Sequence, residues 1–167
     1  MDAKLAVNLI KRLVYSFVAL LVGDAILLLY LLQNALRYRA WLLAARMGEP
    51  GRQIPQAFQM FELYAHVSFF GWLFVGFPVA LFFSARSITR LPWPLSLLLG
   101  AALGPLALFL AIVLLSGVSR AALAHGHMLP GMFTGTASVW PLSILVSTVS
   151  FVVYVALVRK EKGVEHT

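Results

Sequence analysis

Four uninterrupted apolar stretches occupy most of the 167 residues: Leu13–Leu32, Leu63–Phe83, Leu95–Val118 and a last one from Val139 or Trp140 to Val158. Each is about 20 residues long, the length of an α-helix that crosses a hydrocarbon layer of about 30 Å. Lipid offers the backbone no hydrogen-bonding partners, so such segments are expected to be helices. The predicted fold is therefore all-α, a single polytopic membrane domain with four transmembrane helices in a bundle. The composition fits: 61% of the residues are hydrophobic, 11% are charged and the mean hydropathy is +0.90. A soluble domain averages about a quarter charged residues and could not hide this much apolar surface. The chain is also too short to add a separate soluble catalytic domain to four spans, so any chemistry is expected within the bundle or at its rims.

The charges sit at the ends of the apolar stretches. Lys11 and Arg12 precede the first, Arg86 and Arg90 follow the second, and Arg159, Lys160 and Lys162 close the fourth. There they meet lipid headgroups, so the net charge of +7 points to membrane lipids as partners and not to nucleic acid. With four crossings, eight Lys and Arg fall on the side of the termini and of Arg86 and Arg90. Five fall on the other: Arg37, Arg39, Arg46, Arg52 and Arg120. The positive-inside rule places both termini in the cytoplasm, in a cell (inner) membrane. The first stretch is longer than a signal-peptide core and lacks a small-residue cleavage site after it, so it reads as a retained helix.

The longest connection is expected over Gln33–Glu62. A helix over Leu36–Met47 would gather Leu36, Ala40, Leu43 and Met47 on one face, with Arg37, Arg39 and Arg46 flanking it. That pattern suits either a helix lying at the membrane surface or a continuation of the first span. Gly48-Glu49-Pro50-Gly51 should break it. Two prolines around Trp93 mark a tight turn between the second and third stretches.

One residue demands an explanation. Asp24 lies about 11 residues into the first stretch, roughly 16 Å deep at 1.5 Å per residue. A carboxyl at that depth should face other helices and be hydrogen-bonded or paired. Ser143, Ser147 and Ser150 on the fourth stretch, followed by Tyr154, supply hydroxyls that could meet it, and this group is the candidate intramembrane polar site. Its functional reading is a proton or cation site, or a polar contact for a substrate headgroup. Its structural reading is helix packing, and the two weigh about equally. A pair of facing carboxylates, as intramembrane aspartyl peptidases require, is missing, since the only other aspartate is Asp2.

A second polar group, Glu62, His66, His125 and His127, falls on the outer side. Glu62 and His66 stand one helical turn apart, and His-x-His could offer two imidazoles. The spacing permits a divalent metal without specifying one, and the simpler reading is solvated or interfacial histidines. No metal and no cofactor are therefore expected. The absence of cysteine excludes thiolate sites, dithiol redox chemistry and Fe–S clusters. Nucleotide-binding loops, serine-esterase elbows and zinc-protease motifs are not found.

Gly100, Gly104, Ala107 and Ala111 form a small-residue stripe on the third stretch, a face for close helix packing. Gly76, Ala80 and Ser84 repeat the spacing on the second. Pro78 and Pro105 should bend their helices or free a carbonyl on the preceding turn. These features suggest an accessory or assembly subunit, or a component of a membrane transport system, associating with other membrane subunits or with itself. The alternatives are a small proton-coupled transporter using Asp24, and a membrane enzyme or metal- or haem-binding subunit using His66, His125 and His127.

Overall fold

The computed structural model describes residues 3–83, 85–115 and 139–164, and every element among them is helical. Helix α1 spans Ala3–Ala45, and a single 3-10 turn at Pro50–Arg52 leads into α2, Gln53–Gly71. A π-helical turn, Trp72–Gly76, joins α2 to α3, Phe77–Phe82. The short α4, Ala85–Arg90, precedes α5, Trp93–Leu115, and α6 covers Trp140–Val164. Four helical stretches are long and apolar enough to cross a membrane: Val7–Ala45, Pro50–Phe82, Trp93–Ala111 and Trp140–Glu161.

The first connection is much shorter than the sequence suggested. Between Gln33 and Ala45 no Gly or Pro interrupts the chain, so α1 continues as one rod of 43 residues. At 1.5 Å per residue that is about 65 Å, roughly twice a hydrocarbon layer. Of the two expectations for this segment, continuation of the first helix is the one observed. Its anticipated apolar face is not buried: Leu36, Leu43 and Met47 are all exposed, and Leu42 is the buried residue. Leu42 folds back to the turn, where its Cδ2 comes within 3.3 Å of a Cβ built on Gly48.

The turn itself is a Schellman cap. The Met47 N–H donates to Leu42 O at 3.1 Å, the Arg46 N–H donates to Leu43 O at 3.3 Å, and Arg46 takes the left-handed φ of 54° that this cap requires. Gly48 follows, also left-handed at φ 67°. Glycine is the usual residue at the Arg46 position because a Cβ is strained there. Arg46→Gly is therefore expected to stabilise the protein, by about 1 kcal/mol. A melting temperature in detergent that falls in this variant would show that the arginine side chain contributes more than the strain it carries.

The π-helical turn is explained by Pro78. Lacking an N–H, Pro78 cannot close the usual bond to Phe74 O, and the ladder upstream widens so that the Phe77 N–H donates to Trp72 O, five residues back. Gly76 makes room for the Trp72 indole, whose Cδ1 comes within 2.6 Å of a Cβ built there. Its small size therefore serves its own helix. Ala80 of the same expected stripe is fully buried in the core, and Ser84 lies outside the described residues.

The helices form a ring in which α1 packs on α2 and α6, and α5 packs on α2 and α6. At one end α4 tucks beneath the ring. Ile88 is buried with Ala19, Ala80, Tyr154, Val155 and Val158 in the main apolar cluster. Basic side chains tie this end together. Lys11 Nζ pairs with Glu161 Oε1 at 2.9 Å, Arg12 donates to Phe83 O at the end of α3, and Arg159 donates to Leu91 O after α4. Both arginines thus meet carbonyls that a terminating helix leaves without an intrahelical partner. The Arg159 guanidinium also lies 4.4 Å from the centre of the Trp93 ring, which fixes the turn into α5.

Candidate functional site

Glycines set the spacing along three of the four seams of the ring. On α1, a Cβ at Gly23 would overlap Ser150 Oγ and lie 2.9 Å from Val146 O, so α1 and α6 touch backbone to backbone here. Between α5 and α6, a Cβ at Gly100 would lie 2.8 Å from Thr148 Cα, and one at Gly104 would overlap Ser147 Oγ and Ser143 O. Between α2 and α5, a Cβ at Gly71 would stand 3.0 Å from Ala107 Cβ. The stripe read from the sequence therefore divides: Gly100 and Gly104 face α6, Ala107 faces α2, and Ala111 is fully buried. Close approach of this kind is a main source of helix association where no hydrophobic force acts between helices.

The α1–α2 seam is closed by polar contacts instead. Ser68 Oγ donates to Asp24 Oδ1 at 2.8 Å, and Trp72 Nε1 donates to Ser16 Oγ at 3.2 Å. Asp24 is 8% exposed. Its partner is thus on α2 and not among the serines of α6, as the sequence had suggested. The reason lies one residue earlier. Gly23 is pressed against α6, and the next side chain on a helix points about 100° further round, which carries Asp24 to α2. Ser68 is the only serine or threonine between Tyr64 and Phe83, and that isolation in an apolar stretch was the signal that could have found it. Ser16, Trp72 and Gly71 carried no comparable mark.

The α6 serines have other tasks. Ser147 Oγ donates across the seam to Gly100 O at 2.7 Å, on the turn before Pro105. Ser143 Oγ donates to Trp140 O within its own helix at 2.9 Å. Ser150 Oγ is buried without a hydrogen bond, and the Tyr154 hydroxyl is buried beside the Arg12 guanidinium.

Between the helices of the ring is a half-open pocket of about 140 Å³. All four packed helices line it, with Leu20, Val75, Leu103 and Val146 among its apolar walls and Ser16, Ser68, Ser150 and Tyr154 among its polar ones. Ser68, one of the lining residues, is the residue whose hydroxyl donates to Asp24, which is not itself part of the lining.

The outer polar group is only partly described. Glu62 and His66 are both exposed, and His66 Nδ1 lies 2.7 Å from the backbone carbonyl of Glu62, a contact to its own helix and not to the Glu62 carboxylate. His125 and His127 lie outside the described residues. Among the described residues no three His, Asp or Glu side chains gather closely enough to hold a metal ion.

Compared with models of known protein families, with characterised proteins and with solved structures, the chain matches none.

Proposed function

We propose that the chain is an integral membrane protein, a four-helix bundle that serves as a non-enzymatic accessory or assembly subunit, or as a small homo-oligomeric component of a transport system. The observation that carries this reading is the Asp24–Ser68 bond. The one carboxyl within the first apolar stretch joins α1 to α2 at the seam that has no glycine, a packing use of a group whose burial is costly. The extended ends of α1 and α2 support a docking role: Arg37, Arg39 and Arg52 accompany exposed Trp41, Leu43 and Phe58, and Tyr38 stacks on Trp41 at 5.5 Å. Arginine with aromatic residues is a composition favoured at protein interfaces and at lipid headgroups. Native mass spectrometry of the protein released from its own membrane is the direct test. A stoichiometric partner chain or a homo-oligomer is expected, and a monomer carrying neither would contradict it.

A second reading, a small proton-coupled transporter, is favoured by one feature: Ser68 belongs both to the pocket wall and to the Asp24 contact. A carboxyl bonded to a residue of the pocket wall is placed where a proton could be exchanged with a bound solute.

For orientation we propose cytoplasmic termini in a cell membrane, from the excess of Lys and Arg on their side. With no native cysteine, single-cysteine labelling gives a clean readout. A membrane-impermeant thiol reagent applied to intact cells is expected to label a cysteine at position 53 and to spare one at position 88, and the reverse pattern would invert the topology.

A further inference from the structure

We infer that the corner where α4 meets α6 binds the headgroup of an anionic phospholipid, with the lipid phosphate held between Arg90 and Lys160. The charge balance comes first. In sequence this end of the bundle carries eight Lys and Arg against three acids, Asp2, Glu161 and Glu165. Among the described residues Glu161 is its one carboxylate, and Lys11 pairs with it at 2.9 Å. Arg12 donates to Phe83 O and Arg159 to Leu91 O, and the Nε of each is buried without a hydrogen bond. Both guanidinium charges are met by carbonyl dipoles and not by a carboxylate, so the corner keeps a positive potential that an anion would relieve.

Arg90 and Lys160 are the cations placed to meet that anion. Arg159 reaches Leu91 O and lies 4.4 Å from the centre of the Trp93 ring. Arg90, one residue before Leu91, and Lys160, one residue after Arg159, therefore start on either side of this contact. Both are exposed, and neither makes a hydrogen bond or ion pair among the described residues. Ile88 is buried against Val155 and Val158, so the fold itself fixes α4 on α6. Exposed apolar side chains flank α4, Phe82 and Phe83 before it and Trp93 after it, which suits the level where hydrocarbon gives way to headgroups. Basic residues gathered between helices at that level are the composition that recognises lipid phosphate. An acidic protein segment would also satisfy the charges, but at the end of lipid-length helices beside an interfacial tryptophan the anion at hand is a lipid headgroup. The inference rests on the membrane reading and not on the accessory-subunit one.

The test is native mass spectrometry of the full-length protein in detergent, titrated with phosphatidylglycerol or with phosphatidylcholine of the same chains. Phosphatidylglycerol is expected to bind more tightly, and Arg90→Gln and Lys160→Gln each to weaken it roughly fivefold, the equivalent of about 1 kcal/mol per cation near an anionic lipid surface. The double variant should lose the preference. Arg37→Gln with Arg39→Gln, which removes two exposed charges at the far end of the protein, should keep it. Inorganic phosphate at the lipid's concentration should not displace the lipid, since it brings no acyl chain. Because neither Arg90 nor Lys160 holds a neighbour, their variants should melt like the native protein in lipid-free detergent. The proposal is overturned by equal affinity for the two lipids, by a preference that survives in the double variant, by an equal loss in the Arg37 and Arg39 variant, by displacement with inorganic phosphate, or by a double variant that melts lower without lipid. Protein released from its own membrane supplies a further arm: the double variant is expected to lose a bound anionic phospholipid, and if it loses a protein chain instead, the corner is a protein contact and the proposal fails. Binding of neither phospholipid would count against the membrane reading too, whereas equal binding counts against this site alone.

Discussion

Gly104→Leu is expected to cause the largest loss of stability of any single substitution along the helix seams. Even the first added carbon would overlap Ser143 O and Ser147 Oγ and stand 2.8 Å from the Ser143 carbonyl carbon. Backbone cannot swing aside as a flexible side chain does, so α5 and α6 must separate along the turn. That movement also lengthens the Ser147–Gly100 bond, now 2.7 Å. Overpacking in a tight core costs about 1–3 kcal/mol, and the loss of an interhelical hydrogen bond adds about 0.6 kcal/mol in a membrane bundle. The expected loss is therefore roughly 3 kcal/mol, with Gly104→Ala showing a smaller loss of the same sign. Gly51→Leu is the control, since a Cβ there meets nothing within 4 Å. Equal melting temperatures for the Gly104 and Gly51 variants would mean that α5 does not rest on α6 through this face.

The order of the four long helices was legible because lipid-length apolar runs admit only one regular structure. Their ends were less so. Apolar content falls after Leu32, yet the backbone has no cause to leave the helix until Arg46, fourteen residues later, and then Gly48 turn left-handed. Hydropathy reports the solvent a segment meets, whereas helix termination reports local backbone freedom, and in α1 the two diverge. The seams were half legible for a similar reason. Gly100 and Gly104 stand out as a spaced pair, but Gly23 and Gly71 act singly, each against a partner that only the three-dimensional arrangement supplies. Helical spacing puts Ala107 on the stripe of Gly100 and Gly104, but a stripe can serve two neighbours when a helix sits at the corner of a ring. The direction of Asp24 depended on the same information: once Gly23 is known to press on α6, its neighbour must look elsewhere.

Asp24 is where packing and transport give opposite results. In Asp24→Asn the amide oxygen still accepts the Ser68 hydroxyl, now 2.8 Å away, and the shape changes little. What is lost is the ability to take up and release a proton. Under the packing reading the variant should melt within about 1 kcal/mol of the native protein and support the same cellular phenotype. Under the transport reading it should fold equally well and fail completely in the cell, because an amide cannot cycle a proton. Asp24→Leu supplies the structural arm. It removes the acceptor, but Ser68 keeps a second one, Ala65 O at 3.1 Å, so the loss reports mainly the α1–α2 latch itself. A double-mutant cycle of Asp24→Leu with Ser68→Ala isolates that term. A coupling of about 0.5–2 kcal/mol is expected for two groups in direct contact, against none if they only happen to be near. A well-folded Asn variant that has lost all function would overturn the accessory-subunit reading and make Asp24 the centre of a transport mechanism. Retained function in Asn with a measurable coupling to Ser68 would establish the carboxyl as the polar fastener of the one seam without a glycine.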